Sequence, residues 1–318
     1  MENNTVKVHM EKRRQWLIDV LIRLFKEKPL GAAGGVLFLL MILVAIFAKY
    51  LAPYPPNTID LSVLLHPPST AHLLGTDNLG RDLLSRIIYG ARTSVTVGVL
   101  GPAISLVVST ILGITSGFVG GKFDLILQRF IDAWMCFPGI IVLLTLISIV
   151  GQGIVQLILI LGIFGGIGGS RTIRSAVINI RNDMYVQSAE AMGAPTSRIL
   201  IKHILPNISA MLIILYTSGM AGAILAESSL SFLGFGVPPP NPSWGGILSM
   251  EGRLYMLEAP HICLFPGIVL SVTVFGVSML GDALRDLLDP RLRGGLGSYK
   301  KQRPRKVYKK KEIQSDTN

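Results

Sequence analysis

The sequence predicts an all-α integral membrane protein with six transmembrane helices. Half of its 318 residues are hydrophobic and only 15% are charged, whereas charged residues make up about a quarter of a soluble domain. The charges collect in blocks, and the uncharged stretches between them can cross about 30 Å of hydrocarbon at about 1.5 Å per residue. Because a charge at mid-helix is costly in lipid, this distribution is typical of a chain that crosses a bilayer several times.

Uncharged stretches mark the six spans. They cover residues 29–48, 93–121, 133–170, 204–226 and 262–281. The stretch 133–170 is too long for one helix and long enough for two, and Gly151-Gln152-Gly153 has the composition of a turn between them. Three pairs of glycines stand four residues apart, a spacing that predicts close helix packing in lipid. These pairs are Gly113 with Gly117, Gly162 with Gly166, and Gly165 with Gly169.

The distribution of Lys and Arg predicts that both termini are cytoplasmic. An even number of spans places both chain ends on one side, and that side carries 25 of the 30 basic residues. Since basic loops remain on the cytoplasmic side, we expect a multi-pass protein of the cell membrane. The net charge of +11 comes mainly from the chain ends beside the spans. This placement favours the headgroups of a lipid bilayer as partner, and not nucleic acid.

The two chain ends are expected to lie in the cytoplasm. Residues 1–28 carry apolar residues at helical spacing, which predicts an amphipathic helix along the inner membrane surface. Its apolar residues are Trp16, Leu17, Val20, Leu21, Leu24 and Phe25. Residues 291–318 form a basic tail that we expect to be drawn to anionic headgroups.

The spans lack the groups that several other functions need. No run of Asp, Glu, His or Lys occurs at the centre of a span, which argues against an ion-coupled carrier. Glu227 and Asp282 lie at span ends, where we expect the interface to solvate them. The chain also lacks a phosphate-binding loop, a serine nucleophile elbow and a metal-ligand motif. We therefore predict no enzyme activity, no cofactor and no metal, and active transport would take its energy from another chain.

The segment 171–206 has the pattern of an ordered loop between two spans. Residues 183–192 are good helix formers, Gly193 suits the C-terminus of that helix, and Pro195 suits the first turn of another. Pro206 marks the start of the next span. The pattern predicts a short helix parallel to the inner membrane surface, suited to a groove on a soluble partner.

This segment resembles the Glu-Ala-Ala loop of the membrane subunits of ATP-binding-cassette (ABC) importers. The matching residues are Gln187-Ser188-Ala189, Gly193 three residues later, and His203-Ile204-Leu205-Pro206 after nine more. The spacing agrees throughout, but Gln187, Ser188 and His203 differ from the family pattern. The resemblance implies a cytoplasmic coupling helix for the ATPase. The residues that it assigns to this coupling loop are Gln187, Ser188, Ala189, Gly193, Ala194 and Pro206.

Two further segments extend the resemblance over residues 26–290. Residues 72–82 read HLLGTDNLGRD, and residues 230–245 contain LSFLGFG followed by PPNPSWG. Both are similar to the "C" subunits of dipeptide and oligopeptide permeases, which have the type I ABC importer fold. The resemblance implies a first transmembrane helix and outer loop in residues 29–92 and a permease core in residues 93–290.

The resemblance also implies partners. A homologous second permease subunit would form a heterodimer with this chain, and the solute would pass between the two. Two cytoplasmic ATP-binding subunits would contact the coupling loop, and an extracellular solute-binding protein would deliver the solute.

A second candidate site lies in the predicted outer loop. Its residues are Asp77, Arg81, Asp82 and Arg86. In one interpretation Asp77 caps a helix and the two arginines are solvated; in the other, the four residues dock the solute-binding protein. Substrate-binding residues stay unassigned.

Several alternatives stay open at this stage. The first hypothesis is a permease subunit of an ATP-driven importer of di- or oligopeptides. Nickel and other small-solute importers share these motifs and are the alternative within transport. A membrane scaffold or an intramembrane enzyme is an alternative of another class.

Overall fold

The computed structural model describes residues 19–288, and this part of the chain is helical without a β-strand. Two short irregular turns, Leu61–Val63 and the π-helical Leu200–Ile204, accompany its helices. The helices are α1 (19–27), α2 (Pro29–Ile46), α3 (Ala48–Leu51), α4 (Leu83–Val119), α5 (Gly121–Met135), α6 (Gly139–Val150), α7 (Ile154–Arg181), α8 (Met184–Ala191), α9 (Thr196–Ile199), α10 (Leu205–Phe232), α11 (Trp244–Leu248), α12 (Met250–Leu254) and α13 (His261–Leu288). The predicted all-α class is confirmed.

Five helical segments are long and apolar enough to cross a membrane. They are α2, α4, α7, the continuous stretch Thr196–Phe232, and α13. A sixth crossing comes from α5 and α6, which meet at a bend of 90°. Since α4 and α7 pack in parallel, with Ile104 beside Gly162 and Ile173 beside Gly113, the chain between them must return across the bundle. The pair α5–α6 is therefore one bent span, and the count of six is confirmed.

The boundaries of the spans differ from the uncharged stretches. The third span begins at Gly121 and not at residue 133, because Asp124 and Asp132 pair with arginines of α7. The second begins at Leu83, ten residues early, because Arg86 is buried within the protein. A charged residue can therefore lie inside a membrane-spanning helix when its side chain is paired or buried within the protein.

The three glycine pairs all lie where α4 meets α7. A Cβ atom added to Gly113 would stand 2.7 Å from the Ile173 Cβ, and one added to Gly166 would stand 2.5 Å from the Val108 Cβ. Gly117, Gly162, Gly165 and Gly169 make the same kind of approach to the other helix. The prediction that these glycines mark helix contacts is confirmed.

The bundle has two ends, which we name by their residues. The proximal end holds Lys28 and Asp286, whose side chains pair at 2.5 Å, and it includes the segment 182–204. The distal end holds the loop 52–82, the turn 151–153 and the segment 233–260. A hydrophobic core at the distal end joins α2, α4, α10, α11 and α13 around the buried Trp244.

The predicted N-terminal amphipathic helix is described only from residue 19. There α1 exposes Leu21 and Phe25 and packs Leu24 against Ala283 and Leu287 of α13. Trp16 and Leu17 lie outside the described residues, as does the predicted basic tail 291–318.

Candidate functional site

The helix α8 is held at the proximal end by two small apolar anchors. Val186 and Ala189 are buried, and Val186 belongs to one cluster with Ile173 and Val177 of α7 and with Ile204. The same cluster includes Ile199 and Ile208, so the end of α7, α8, α9 and the start of α10 pack as a unit.

The opposite face of α8 is open to solvent. Met184 is 84% exposed and Met192 is 82% exposed. Gln187, Ser188 and Ala191 are exposed beside them. The Gln187 amide donates to the Asn182 carbonyl at 3.2 Å, and the Ser188 hydroxyl donates to the Met184 carbonyl at 2.7 Å. Exposed flexible methionines are typical of surfaces that bind a partner.

A Schellman turn ends α8 at Gly193. The Ala194 N–H donates to the Ala189 carbonyl at 3.0 Å and the Gly193 N–H donates to the Glu190 carbonyl at 2.9 Å. Gly193 has φ +76°, the left-handed conformation that this turn requires and that glycine adopts without strain. The prediction that Gly193 ends the helix is confirmed. A Cβ atom there would meet nothing within 4 Å. Glycine is therefore favoured at this position by the backbone conformation and not by a lack of space.

The loop returns to the bundle through Pro206. This residue lies in the first turn of α10, as predicted, directly after the π-helical turn Leu200–Ile204. The Asn207 amide donates to the Tyr185 hydroxyl at 3.0 Å and so ties α10 back to α8. Partial burial, aided by the charge of Asp183, raises the pKa of Tyr185 above its ordinary value, so this hydroxyl stays protonated at neutral pH.

At the distal end, Asp77 organises a buried charge cluster. Its carboxylate accepts the backbone N–H groups of Leu79 and Arg81, each at 2.9 Å. The Arg81 Nε lies 2.7 Å from Asp77 Oδ2 and the Arg86 Nε lies 3.3 Å from it. Asp77 is fully buried, and only 9% of Arg81 and 6% of Arg86 is exposed. The expectation that these arginines are solvated is wrong.

Asp82, and not Asp77, caps the helix that follows. One Asp82 oxygen accepts the Ser85 N–H at 2.8 Å and the Ser85 hydroxyl at 2.7 Å, at the N-terminus of α4. The other lies 2.9 Å from His72 Nδ1. The Asp-x-x-Ser spacing of a helix cap was the sequence signal for this role, and the four-residue spacing of Asp77 and Arg81 was the signal for their pairing.

Glu227 is a buried polar residue that the sequence interpretation placed wrongly. Its carboxyl group has no exposed surface. It accepts the Ser94 hydroxyl of α4 at 2.9 Å, the Ser231 hydroxyl at 2.7 Å and the Ser228 hydroxyl at 3.3 Å. The predicted interfacial solvation therefore fails for Glu227, whereas Asp282 is exposed.

Trp244 is also buried at the distal end. Its indole is fully buried, and its Nε1–H donates to the Ile87 carbonyl at 3.0 Å. Nearby, the Thr93 hydroxyl donates to the Pro242 carbonyl at 2.9 Å. These bonds fix the segment 233–247 onto α4.

A cavity of about 430 Å³ lies between α4, α7 and α10, with Leu143 of α6 at its edge. Its lining is uncharged and consists mostly of small residues. Ser105, Ser109 and Ser218 are the lining residues with polar side chains. Within residues 19–288, no three His, Cys, Asp or Glu side chains stand close enough to bind a metal ion.

Comparison with known proteins decides the family. Residues 109–294 match the family model described as "Binding-protein-dependent transport system inner membrane component". The chain belongs to this family. Residues 16–68 match the N-terminal transmembrane domain of oligopeptide transport permease C, as the resemblance implied.

The curated relatives cover nearly the whole permease. The glutathione transport system permease protein GsiD of Pectobacterium atrosepticum is 37% identical over 272 residues, which are 85% of this chain and 90% of that protein. The proteins of the same name from Escherichia coli and Shigella boydii are each 36% identical over 273 residues, 86% of this chain and 90% of theirs. This permease is therefore a multi-pass inner membrane subunit of an ABC importer, and it is not an enzyme.

Proposed function

We propose that this permease imports di- or oligopeptides, and that ATP hydrolysis drives it through the exposed face of α8. The carrying observation is α8 itself, a helix seated on α7 and α10 that presents methionines, uncharged polar residues and Glu190 to solvent. One ATP-binding subunit contacts this face of α8. A second ATP-binding subunit contacts a homologous second permease subunit.

The proximal end is cytoplasmic in this proposal. Support comes from the excess of basic residues on that side of the predicted spans. The coupling loop, with Gln187, Ser188, Ala189, Gly193, Ala194 and Pro206, then lies where ATP-binding subunits have access. Gln187 hydrogen-bonds within the chain and carries no charge, so contact with the ATPase at this position is uncharged.

The distal end is the site where an extracellular solute-binding protein docks. The cluster of Asp77, Arg81, Asp82 and Arg86 acts indirectly, because its side chains are buried and hold the shape of the loop 52–82. Exposed leucines of the distal end supply contact area. They are Leu61, Leu73, Leu254 and Leu257.

The small-residue cavity is the part of the solute path that this chain contributes. Serine hydroxyls can hydrogen-bond to a peptide backbone, and glycines leave room for varied side chains. A nickel ion prefers imidazole, carboxylate or thiolate ligands, and the lining carries none of them. The name of the relatives, glutathione permeases, favours the same class of solute.

Uptake by cells that lack the chain tests this proposal. Labelled dipeptides, glutathione, longer peptides and nickel are compared with and without restored expression. We expect peptide uptake to depend on the chain and nickel uptake to be unaffected. Dependence of nickel uptake alone would overturn the peptide assignment, and dependence of neither would overturn import by this chain.

A matched pair of variants tests the path. A Cβ atom at Gly222, in the cavity, and one at Gly168, on α7 outside it, both meet nothing within 4 Å. We expect Gly222→Leu to reduce uptake of longer peptides at least tenfold and Gly168→Leu to leave it unchanged. Equal uptake by the two variants would remove the cavity from the solute path.

A further inference from the structure

Four charged side chains and two uncharged ones join α4, α5 and α7 near the proximal end. The Arg174 guanidinium donates to both Asp124 oxygens, from Nε at 2.6 Å and from Nη2 at 2.5 Å. Asp124 also accepts the Ser116 hydroxyl of α4, and that hydroxyl accepts the Gln128 amide at 2.9 Å. One turn earlier on α7, Arg171 pairs with Asp132.

These ion pairs share a short segment of α7 with the anchors of α8. Arg171 and Arg174 point to α5, while Ile173 and Val177 pack into the cluster that holds Val186. The segment 171–177 is only about two helical turns, or about 10 Å, long. A displacement of α8 that moves this segment therefore also moves α5.

The geometry of α5 carries such a displacement to the cavity. Its apolar outer face, with Phe123, Ile126 and Phe130, is exposed, so its contacts to the rest of the chain are concentrated on the polar side. It continues through the 90° bend into α6, whose Leu143 lines the cavity. Near the bend, the Trp134 ring lies 6.1 Å from the ring of Phe164, which also lines the cavity.

We infer that Asp124–Arg174 and Asp132–Arg171 are a mechanical link between the ATPase-docking helix and the solute cavity. The inference rests on the proposed role of α8. In it the four residues are positioning residues: they touch neither solute nor ATPase, and they make the bent span α5–α6 follow the movement of α8. The bidentate Asp124–Arg174 pair suits this task because its two parallel bonds resist rotation as well as separation.

Charge exchange in the assembled transporter tests the link. Asp124→Arg, Arg174→Asp and the double exchange are reconstituted in nanodiscs with the second permease subunit, the ATP-binding subunits and the binding protein. The readout is the number of solute molecules moved per ATP hydrolysed. We expect each single variant to lower this ratio at least tenfold while ATP hydrolysis continues, and the double exchange to restore it to within about threefold.

Milder variants guard against loss of folding. Asp124→Asn keeps the side-chain shape and should lower the number of solute molecules moved per ATP severalfold. The control is Arg129→Ala, because the Arg129 side chain is 77% exposed and reaches Asp132 only at 3.4 Å; it should leave the ratio unchanged. A normal ratio in Asp124→Asn and in both single charge changes would overturn the link. So would equal falls of hydrolysis and uptake that the double exchange does not repair.

The outcomes also separate this inference from the proposed function. If ATP-binding subunits fail to bind the wild-type chain, the role of α8 is wrong and the link loses its basis. If they bind and drive uptake while the single variants keep the wild-type ratio, only the link is wrong.

Discussion

At the distal end Asp77 is buried and paired with Arg81 and Arg86, whereas at the proximal end α8 turns most of its surface to solvent and is held by two small apolar side chains. Asp77, Arg81 and Arg86 are together almost inaccessible. Met184 and Met192 are almost fully accessible. The distal cluster is therefore defined by contacts within the chain, whereas most of the α8 surface makes no contact with the rest of the chain.

This difference predicts that substitutions in the two regions affect different properties, stability at the distal end and ATP-driven transport at α8. Removing one partner of a buried ion pair is costly because it leaves an uncompensated charge, while an exposed side chain can be changed at little cost to the fold. Substitutions of the buried charged residues at the distal end should therefore destabilise the protein, and substitutions in α8 should yield a folded protein that transports poorly. Four variants test this contrast, in order of decreasing effect on stability.

Asp77→Ala should have the largest effect. It leaves the buried Arg81 and Arg86 without their shared carboxylate, at a cost of about 3–5 kcal/mol. The measurement is the thermal melting temperature in detergent. Asp60→Ala is the control, since Asp60 is exposed and bonds only to Ser62 in its own turn. Equal melting temperatures for Asp77→Ala and Asp60→Ala would contradict the contrast.

Glu227→Ala should come next. The change removes the acceptor for three buried hydroxyls, those of Ser94, Ser228 and Ser231, at about 1–3 kcal/mol. Glu227→Gln keeps the shape and one acceptor oxygen and should recover most of that loss. Chemical denaturation of the purified chain compares the two variants, and a Gln variant no more stable than Ala would mean that the carboxyl group's shape is unimportant.

Gly193→Val should destabilise α8 by about 1–2 kcal/mol, because a β-branched residue is strained at positive φ. We expect insertion into the membrane to be normal and ATP-driven uptake to be lost. Gly193→Asn is the matched control, since asparagine tolerates this conformation better, and it should retain uptake. Wild-type uptake by Gly193→Val would remove Gly193 from the coupling loop.

Replacement of Met184 and Met192 by serine should change stability least, by less than about 0.5 kcal/mol, since both side chains are exposed. The same double variant should bind the ATP-binding subunits at least tenfold more weakly in a pull-down titration. Unchanged binding would show that the apolar part of the α8 surface does not contribute to docking.

Much of the fold followed from patterns that are local in the chain. Six spans, the contacts of the glycine pairs and the turn at Gly193 depend on hydropathy, spacing and backbone conformation, each of which a short segment determines. Those predictions are confirmed. The coupling role of residues 187–194 stays a prediction.

The errors share one physical cause. A charged or polar side chain was expected in solvent wherever it interrupted or ended an apolar run, as at Arg86, Asp124 and Glu227. Each of these side chains instead meets a partner, and for Asp124 and Glu227 that partner is remote in sequence. Arg174 is 50 residues from Asp124, and Ser94 is 133 residues from Glu227. A single sequence carries no signal for such pairings, so the bent third span and the buried carboxyl group were not predictable.

The glycine contact between α4 and α7 has a consequence for biosynthesis. The two helices run in parallel, so the contact forms only after the intervening span has also crossed the membrane. At a translation rate of about 5–20 residues per second, the ribosome takes about 3–12 s to proceed from the end of α4 to the end of α7. During that time the glycine face of α4 has no partner from its own chain. Until α7 is inserted, this face of α4 contacts lipid or insertion factors. The packing of α7 against α4 then replaces those contacts and completes this part of the subunit.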